Sequence, residues 1–98
     1  MAVRPFRFNP AAEAELVEAA AWYEARRAGL AGEFVRAFRA RIDGILEAPD
    51  RWPLSAGVRR ALLGKFPYTI VYRTIEDGGV EVVAVAHVKR RPKYWSGR

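Results

Sequence analysis

The densest chemistry in this sequence lies near its end, where His87 is followed by Lys89, Arg90, Arg91 and Pro92, then by Tyr94, Trp95 and Arg98. An imidazole titrates near neutrality, a phenol can hold or release a proton, and a guanidinium binds phosphate or carboxylate through two parallel hydrogen bonds. Together these groups describe a site for anions, with or without proton transfer. Arg90 is the strongest candidate for direct contact, because Pro92 stiffens the segment that carries it. Arg59, Arg60 and Arg73 lie upstream. Arg59 and Arg60 are neighbours on a strand and face opposite ways, so at most one of them joins a given site. Arg73 ends its strand beside the start of the basic segment. Structural readings stand beside these. A histidine at a strand end is often a hydrogen-bonded structural residue, and Tyr94 and Trp95 have the size to pin the tail onto a sheet.

The charge distribution points the same way. Residues 1–58 carry as many acids as bases, so the whole formal charge of +6 falls on residues 59–98. After Glu81 come Lys89, Arg90, Arg91, Lys93 and Arg98 with no acid between them. Such a segment suits a polyanion or an acidic protein partner, although a basic tail also serves as a solvated surface. The composition excludes other classes. With 0 cysteines and 1 histidine there is no disulfide and no zinc ligand set, and no metal or cofactor is expected. No apolar run is longer than Ala19–Tyr23 or Val82–Ala86, so neither a membrane span nor a signal peptide is expected, and the protein is placed in the cytoplasm.

The elements that must position these groups are legible from period and punctuation. Val3–Phe8 reads as a short strand that Pro5 confines to an edge. Asn9-Pro10 is an N-cap followed by a first-turn proline, and Glu13 and Glu15 complement the positive end of the helix dipole. Ala12, Leu16, Ala19, Ala20 and Tyr23 then recur at helical spacing up to Gly29. Leu30, Phe34, Phe38, Ile42, Ile45 and Leu46 mark a second helix that Pro49 ends, and so short a connection makes the two helices antiparallel. Beyond it the period becomes two. Arg59–Leu63, Tyr68–Thr74 and Val80–Val88 read as strands, with Tyr68, Ile70 and Tyr72 on one face and Asp77-Gly78-Gly79 as a hairpin turn. The expectation is a single α+β domain over residues 1–98. It runs β-α-α-β-β-β, with a three-stranded antiparallel meander, the helix hairpin on one face, and the other face and the C-terminal segment open to partners.

This order of elements resembles the RelE/ParE superfamily of toxins from type II toxin–antitoxin, or plasmid stabilisation, systems. The likeness is carried by Ala14-Glu15-Leu16 with Trp22-Tyr23, by Ile45-Leu46-Glu47-Ala48-Pro49, by Arg59-Arg60 with Phe66-Pro67-Tyr68-Thr69-Ile70-Val71-Tyr72-Arg73, and by Ala86-His87-Val88-Lys89-Arg90-Arg91-Pro92-Lys93-Tyr94-Trp95-Ser96-Gly97-Arg98. The last two patches are the specific ones.

The resemblance implies a growth-arresting protein with one of two activities. A RelE-like member cleaves messenger RNA on the ribosome. His87, Arg90 and Tyr94 would then be catalytic, since attack by a ribose 2′-hydroxyl needs a proton acceptor, a proton donor and cations for the developing charge. A ParE-like member inhibits DNA gyrase without such chemistry. The ribonuclease branch commonly places an arginine after the tyrosine that opens the middle meander strand. This chain has Tyr68-Thr69 there, and its two long helices suit the ParE-like hairpin, so the reading leans to a non-catalytic toxin. Arg59, Arg60, Arg73, Lys89, Arg90, Arg91 and Arg98 would face the target. An acidic antitoxin, in a toxin–antitoxin hetero-oligomer, would lay apolar side chains along Trp22, Tyr23 and Phe34 and carboxylates on Arg73, Arg90 and Arg91. A basic nucleic-acid-binding domain without toxicity is the third class left open.

Overall fold

The computed structural model describes residues 5–76 and 78–98. The element order is β1 (Phe6–Phe8), α1 (Pro10–Arg26), α2 (Leu30–Glu47), a 3-10 turn over Pro49–Arg51, β2 (Leu54–Ser55), β3 (Val58–Leu62), β4 (Tyr68–Thr74) and β5 (Val80–His87). The hairpin lies where the sequence puts it. The Asn9 side chain accepts from the Ala11 N–H at 2.9 Å, which caps one of the orphan donors of the first turn. Gly29 enters α2 at φ +90°, a conformation that a side chain would strain. The Glu24 carboxylate accepts from the Gly29 and Ala31 N–H groups and closes the connection. Pro49 is buried after the end of α2.

The sheet has five strands, in the order β1-β5-β4-β3-β2. The meander β3-β4-β5 is antiparallel as expected. Two features extend it. β1 lies parallel to β5 at one edge, with Phe6, Arg7 and Phe8 opposite Val80, Glu81 and Val82. β2 pairs with β3 at the other edge through Leu54 and Ser55. The start of the expected first strand, Val3 and Arg4, lies outside the described residues, as does Asp77 of the expected hairpin turn. The described neighbour Gly78 has φ +84° and donates its N–H to Ile75.

The helices cover one face of the sheet. Ala12, Ala19, Phe34, Phe38, Ile42 and Ile45 pack there on Ala61, Ile70, Tyr72, Val80, Val82 and Val85. Tyr72 is fully buried and donates its hydroxyl to the Pro49 carbonyl at 2.6 Å, so its polar end is satisfied. A bulge interrupts β5. Val71 pairs with Ala84 but Tyr72 with Val82, leaving Val83 as the extra residue. Val83 and Ala84 therefore both face away from the helices, and His87 shares its face with Val85 but not with Val83. Plain alternation along the strand would set His87 on the face of Val83, and the bulge shifts that phase by one residue.

Candidate functional site

The open face is not bare. After His87 the chain folds back through successive turns, with N–H groups of Arg90, Tyr94, Ser96 and Arg98 donating to the carbonyls three residues earlier. Lys93 takes φ +60°, and this left-handed residue turns the segment so that Trp95 returns to the sheet. Trp95, 7% exposed, packs with Val58, Val71, Val83, Ala84 and Ala86. The side face that was expected to be free is thus half covered by the chain's own tail.

The tail crosses the sheet edge where β1 runs out. β1 pairs with β5 only as far as Val82, which leaves edge groups beyond it in need of partners. The Val85 N–H donates to Glu15 at 3.0 Å, and the Val83 carbonyl accepts from the Arg98 guanidinium at 3.1 Å. Arg98 also meets Glu15 through both terminal nitrogens at 2.9 and 3.0 Å, and Tyr94 donates its hydroxyl to the same carboxylate at 2.8 Å. Burial works to raise the Glu15 pKa, but the bonds from Arg98, Tyr94 and the Val85 N–H outweigh it and hold the group below its ordinary value. For Tyr94, burial and the hydrogen bond to Glu15 push the phenol far above its ordinary range, against the pull of Arg90 and Arg98.

A groove of about 570 Å³ lies beside this anchor on the helix side. Glu15, Glu18, Ala19, Trp22 and Tyr23 of α1 form one wall, and Pro67, Tyr68, Val85, His87 and Arg90 the other. Trp22 is 52% exposed at its rim, with the Arg26 guanidinium 3.9 Å from the ring centroid. A smaller basin of about 280 Å³ opens on the far face between the sheet and the tail, with Arg60, Thr69, Val71, Arg91 and Trp95 in its lining. Arg90 borders both.

The expected residues do not form one cluster. Lys89, Arg90 and Arg91 are exposed and, like Arg60, in no ion pair among the described residues. Arg60 lies over the Trp95 ring at 5.3 Å and Arg90 over the Tyr94 ring at 4.0 Å. Arg59 and Arg60 do face opposite ways. Arg59 is turned to the carbonyls of Asp50 and Trp52, on the opposite face of the sheet from the tail, which its neighbours Val58 and Arg60 meet through Trp95. Arg73 is engaged by Glu81 at 2.6 Å and donates to the terminal carbonyl of Arg98 at 3.2 Å. Arg98 is turned inward on Glu15. His87 packs edge-on against Tyr68 at 5.1 Å, and its Nδ1 accepts from the Lys89 N–H.

Two expectations need correcting. Phe34 does not border the groove. It is fully buried, ringed by Tyr23, Phe66 and Tyr68 at 5.1–5.2 Å, because its place in the α2 stripe outweighs any surface role. Glu15 is no mere complement to the helix dipole. Its spacing from Ala12 and Ala19 sets it on the buried face of α1, and a carboxylate there needs partners. That spacing was the available signal. Tyr68 shares the helix-side face of Ile70 and Tyr72 as expected, but nothing in the sequence marks it or Pro67 as lining a groove.

Among the described residues, no helix is long and apolar enough to cross a membrane. The family model for the "ParE toxin of type II toxin-antitoxin system, parDE" matches residues 6–92. No curated protein matches the sequence. Among solved structures, a chain described as "Chromosomal ParDE TA system from P. aeruginosa" superposes with a TM-score of 0.73 at 13% identity, covering 87% of this chain and 96% of that one. At that identity the likeness speaks for the fold.

Proposed function

The chain belongs to the ParE toxin family of type II toxin–antitoxin systems, and we propose that it arrests bacterial growth by a binding mechanism, setting its basic tail against a protein target, DNA gyrase, rather than by cutting messenger RNA. The observation that carries this reading is the hydrogen bond of the Tyr94 hydroxyl to Glu15. The phenol that would exchange protons in a ribonuclease is committed to a carboxylate and held protonated. Thr69 adds no cation to the floor of the open-face basin, and the His87 Nδ1 is taken by the main chain. What the tail does offer is a row of guanidinium and ammonium groups, Lys89, Arg90 and Arg91, in no ion pair among the described residues, beside apolar surface, with Val88 51% exposed at the basin rim. An apolar contact patch with a basic border suits an acidic protein surface.

Neutralisation follows from Arg90, which borders both the groove and the basin. An acidic antitoxin segment that fills the groove with apolar side chains along Trp22 and Tyr23 brings its carboxylates to Arg90 and covers one wall of the target-facing surface. The complex is a toxin–antitoxin hetero-oligomer acting in the cytoplasm.

Titrated induction tests the reading. Arg90→Ala lowers toxicity at matched protein level, whereas Arg36→Ala on the outer side of α2 does not. Purified protein inhibits gyrase supercoiling and leaves translated messages intact in primer-extension mapping. Ribosome-dependent cuts that need Tyr94 and Arg90 refute it.

A further inference from the structure

Glu15 lies in α1, outside the basic tail, yet it gathers the polar bonds that tie the tail to the sheet edge, beside the apolar seat of Trp95. One carboxylate accepts from the Val85 N–H, from Tyr94 and twice from Arg98. The Tyr94 ring in turn carries two guanidinium groups, Arg90 at 4.0 Å and Arg98 at 5.2 Å from its centroid. Two cations sharing one aromatic ring repel each other, and among the described residues Glu15 is the acid that pairs with either of them. Among the described residues the Arg90 side chain makes no ion pair or hydrogen bond; its place follows from the ring on which it lies.

We infer that Glu15 is the positioning residue of the basic tail: by fixing Tyr94 and Arg98 it sets where Arg90 stands at the meeting point of groove and basin. The inference deepens the proposed function and rests on it for its biological meaning, but its geometry stands apart. Three features carry it. The anchor satisfies a sheet edge that β1 leaves uncovered, so it has a reason to persist independent of any partner. Its bonds to Arg98 are paired and charge-assisted, the geometry that most restricts a side chain. And Glu15 itself lines the groove, so a segment seated there touches the anchor as well as Arg90, and binding on the helix side is coupled to tail placement on the other.

Limited trypsin digestion of the native protein reads tail placement directly, through cleavage after Lys89, Arg90 and Lys93; Arg91 precedes a proline and is resistant. Glu15→Ala and, from the tail side, Arg98→Ala each raise cleavage at these sites by about ten-fold or more, as expected when charge-assisted bonds that hold a segment closed are lost. Glu13→Ala, two residues away on the exposed side of α1, leaves cleavage unchanged. The exchange Glu15→Arg with Arg98→Glu restores protection relative to either single charge reversal, which a generally weakened fold would not do. Amide hydrogen exchange in α2 stays slow in all variants, separating tail release from unfolding. If the tail stays protected in both Glu15→Ala and Arg98→Ala, or if the exchange gives no recovery, the inference is wrong. Toxicity is scored in the same variants. Release of the tail with toxicity retained leaves Glu15 as its positioning residue and overturns instead the reading of the tail as the toxic surface.

Discussion

Trp22 and Phe34 offer a sharp test of the groove, because both were expected at its border and the structure separates them. Phe34 is fully buried, while Trp22 is 52% exposed, with its ring edge-on to Tyr23 and stacked under Arg26. A tryptophan presents about 200 Å² of surface, so roughly 100 Å² of Trp22 remains for a partner to cover. At about 25 cal/mol per Å² that area is worth about 2.5 kcal/mol, and about 2 kcal/mol after ordering costs are allowed for. Trp22→Ala should therefore weaken binding of the cognate antitoxin about 30-fold. Its cost to the free protein is the Tyr23 and Arg26 contacts, about 1 kcal/mol in all, or a fall in Tm of about 4–8 °C. Phe34→Ala should do the reverse, costing about 3–5 kcal/mol of stability with affinity of the remaining folded protein nearly unchanged. Isothermal titration with the acidic antitoxin, alongside thermal unfolding of each variant, measures both numbers. If Trp22→Ala changes the Kd by less than about 3-fold, the groove is not the docking surface.

Further outcomes follow from single residues. The Ala56-Gly57 turn between β2 and β3 has φ of 53° and 80°, the twisted two-residue hairpin that favours Asn-Gly, so Ala56→Asn should raise stability by about 0.5–1 kcal/mol in thermal unfolding; a lower Tm would refute the strain argument. Glu15 is held below its ordinary pKa of 4.5, so in that range the unfolded chain binds more protons than the native one. Its contribution is present above pH 4.5 and is lost as pH falls through the lower folded value, and Glu15→Gln should flatten the acid limb of the stability profile. If charge mainly steers the antitoxin while apolar contact holds it, raising salt from about 0.1 to 0.5 M should slow association much more than it speeds dissociation in stopped-flow kinetics.

The sequence is most readable where local chemistry decides the structure. Asn9-Pro10, Gly29 and Pro49 punctuate the hairpin because caps and breakers act over a few residues, and the α2 stripe stands out because Phe34, Phe38, Ile42 and Ile45 all meet the sheet. β2 has no periodic signal to find, being Leu54 and Ser55 alone, both exposed. The parallel pairing of β1 with β5 joins residues more than seventy positions apart, and neither strand encodes its neighbour. The bulge hides in Val82-Val83-Ala84, where every residue is apolar and a phase slip leaves no mark. The candidate site shows the same division. Composition alone isolates the basic tail, but its attachment to Glu15 depends on a long-range fold that brings the end of the chain back to the second turn of α1.

The Val83 bulge gives β5 an uneven tolerance to changes in length. Val80 and Val82 face the helices, Val83 and Ala84 face away, and Val85 faces the helices again. Deleting Val83 leaves every other side chain of the strand on its own face, since Ala84 then follows Val82 in plain alternation. Deleting Ala84 does the same, because Val85 then follows Val83 in alternation, whereas deleting Val85 or Ala86 with the bulge kept rotates His87 and everything after it by half a turn. Change in the length of this strand is therefore channelled to the bulge, Val83 and Ala84. Copies that lose Val83 would keep an aligned core while surrendering the carbonyl on which Arg98 rests, so that the tail loses footing without loss of the fold.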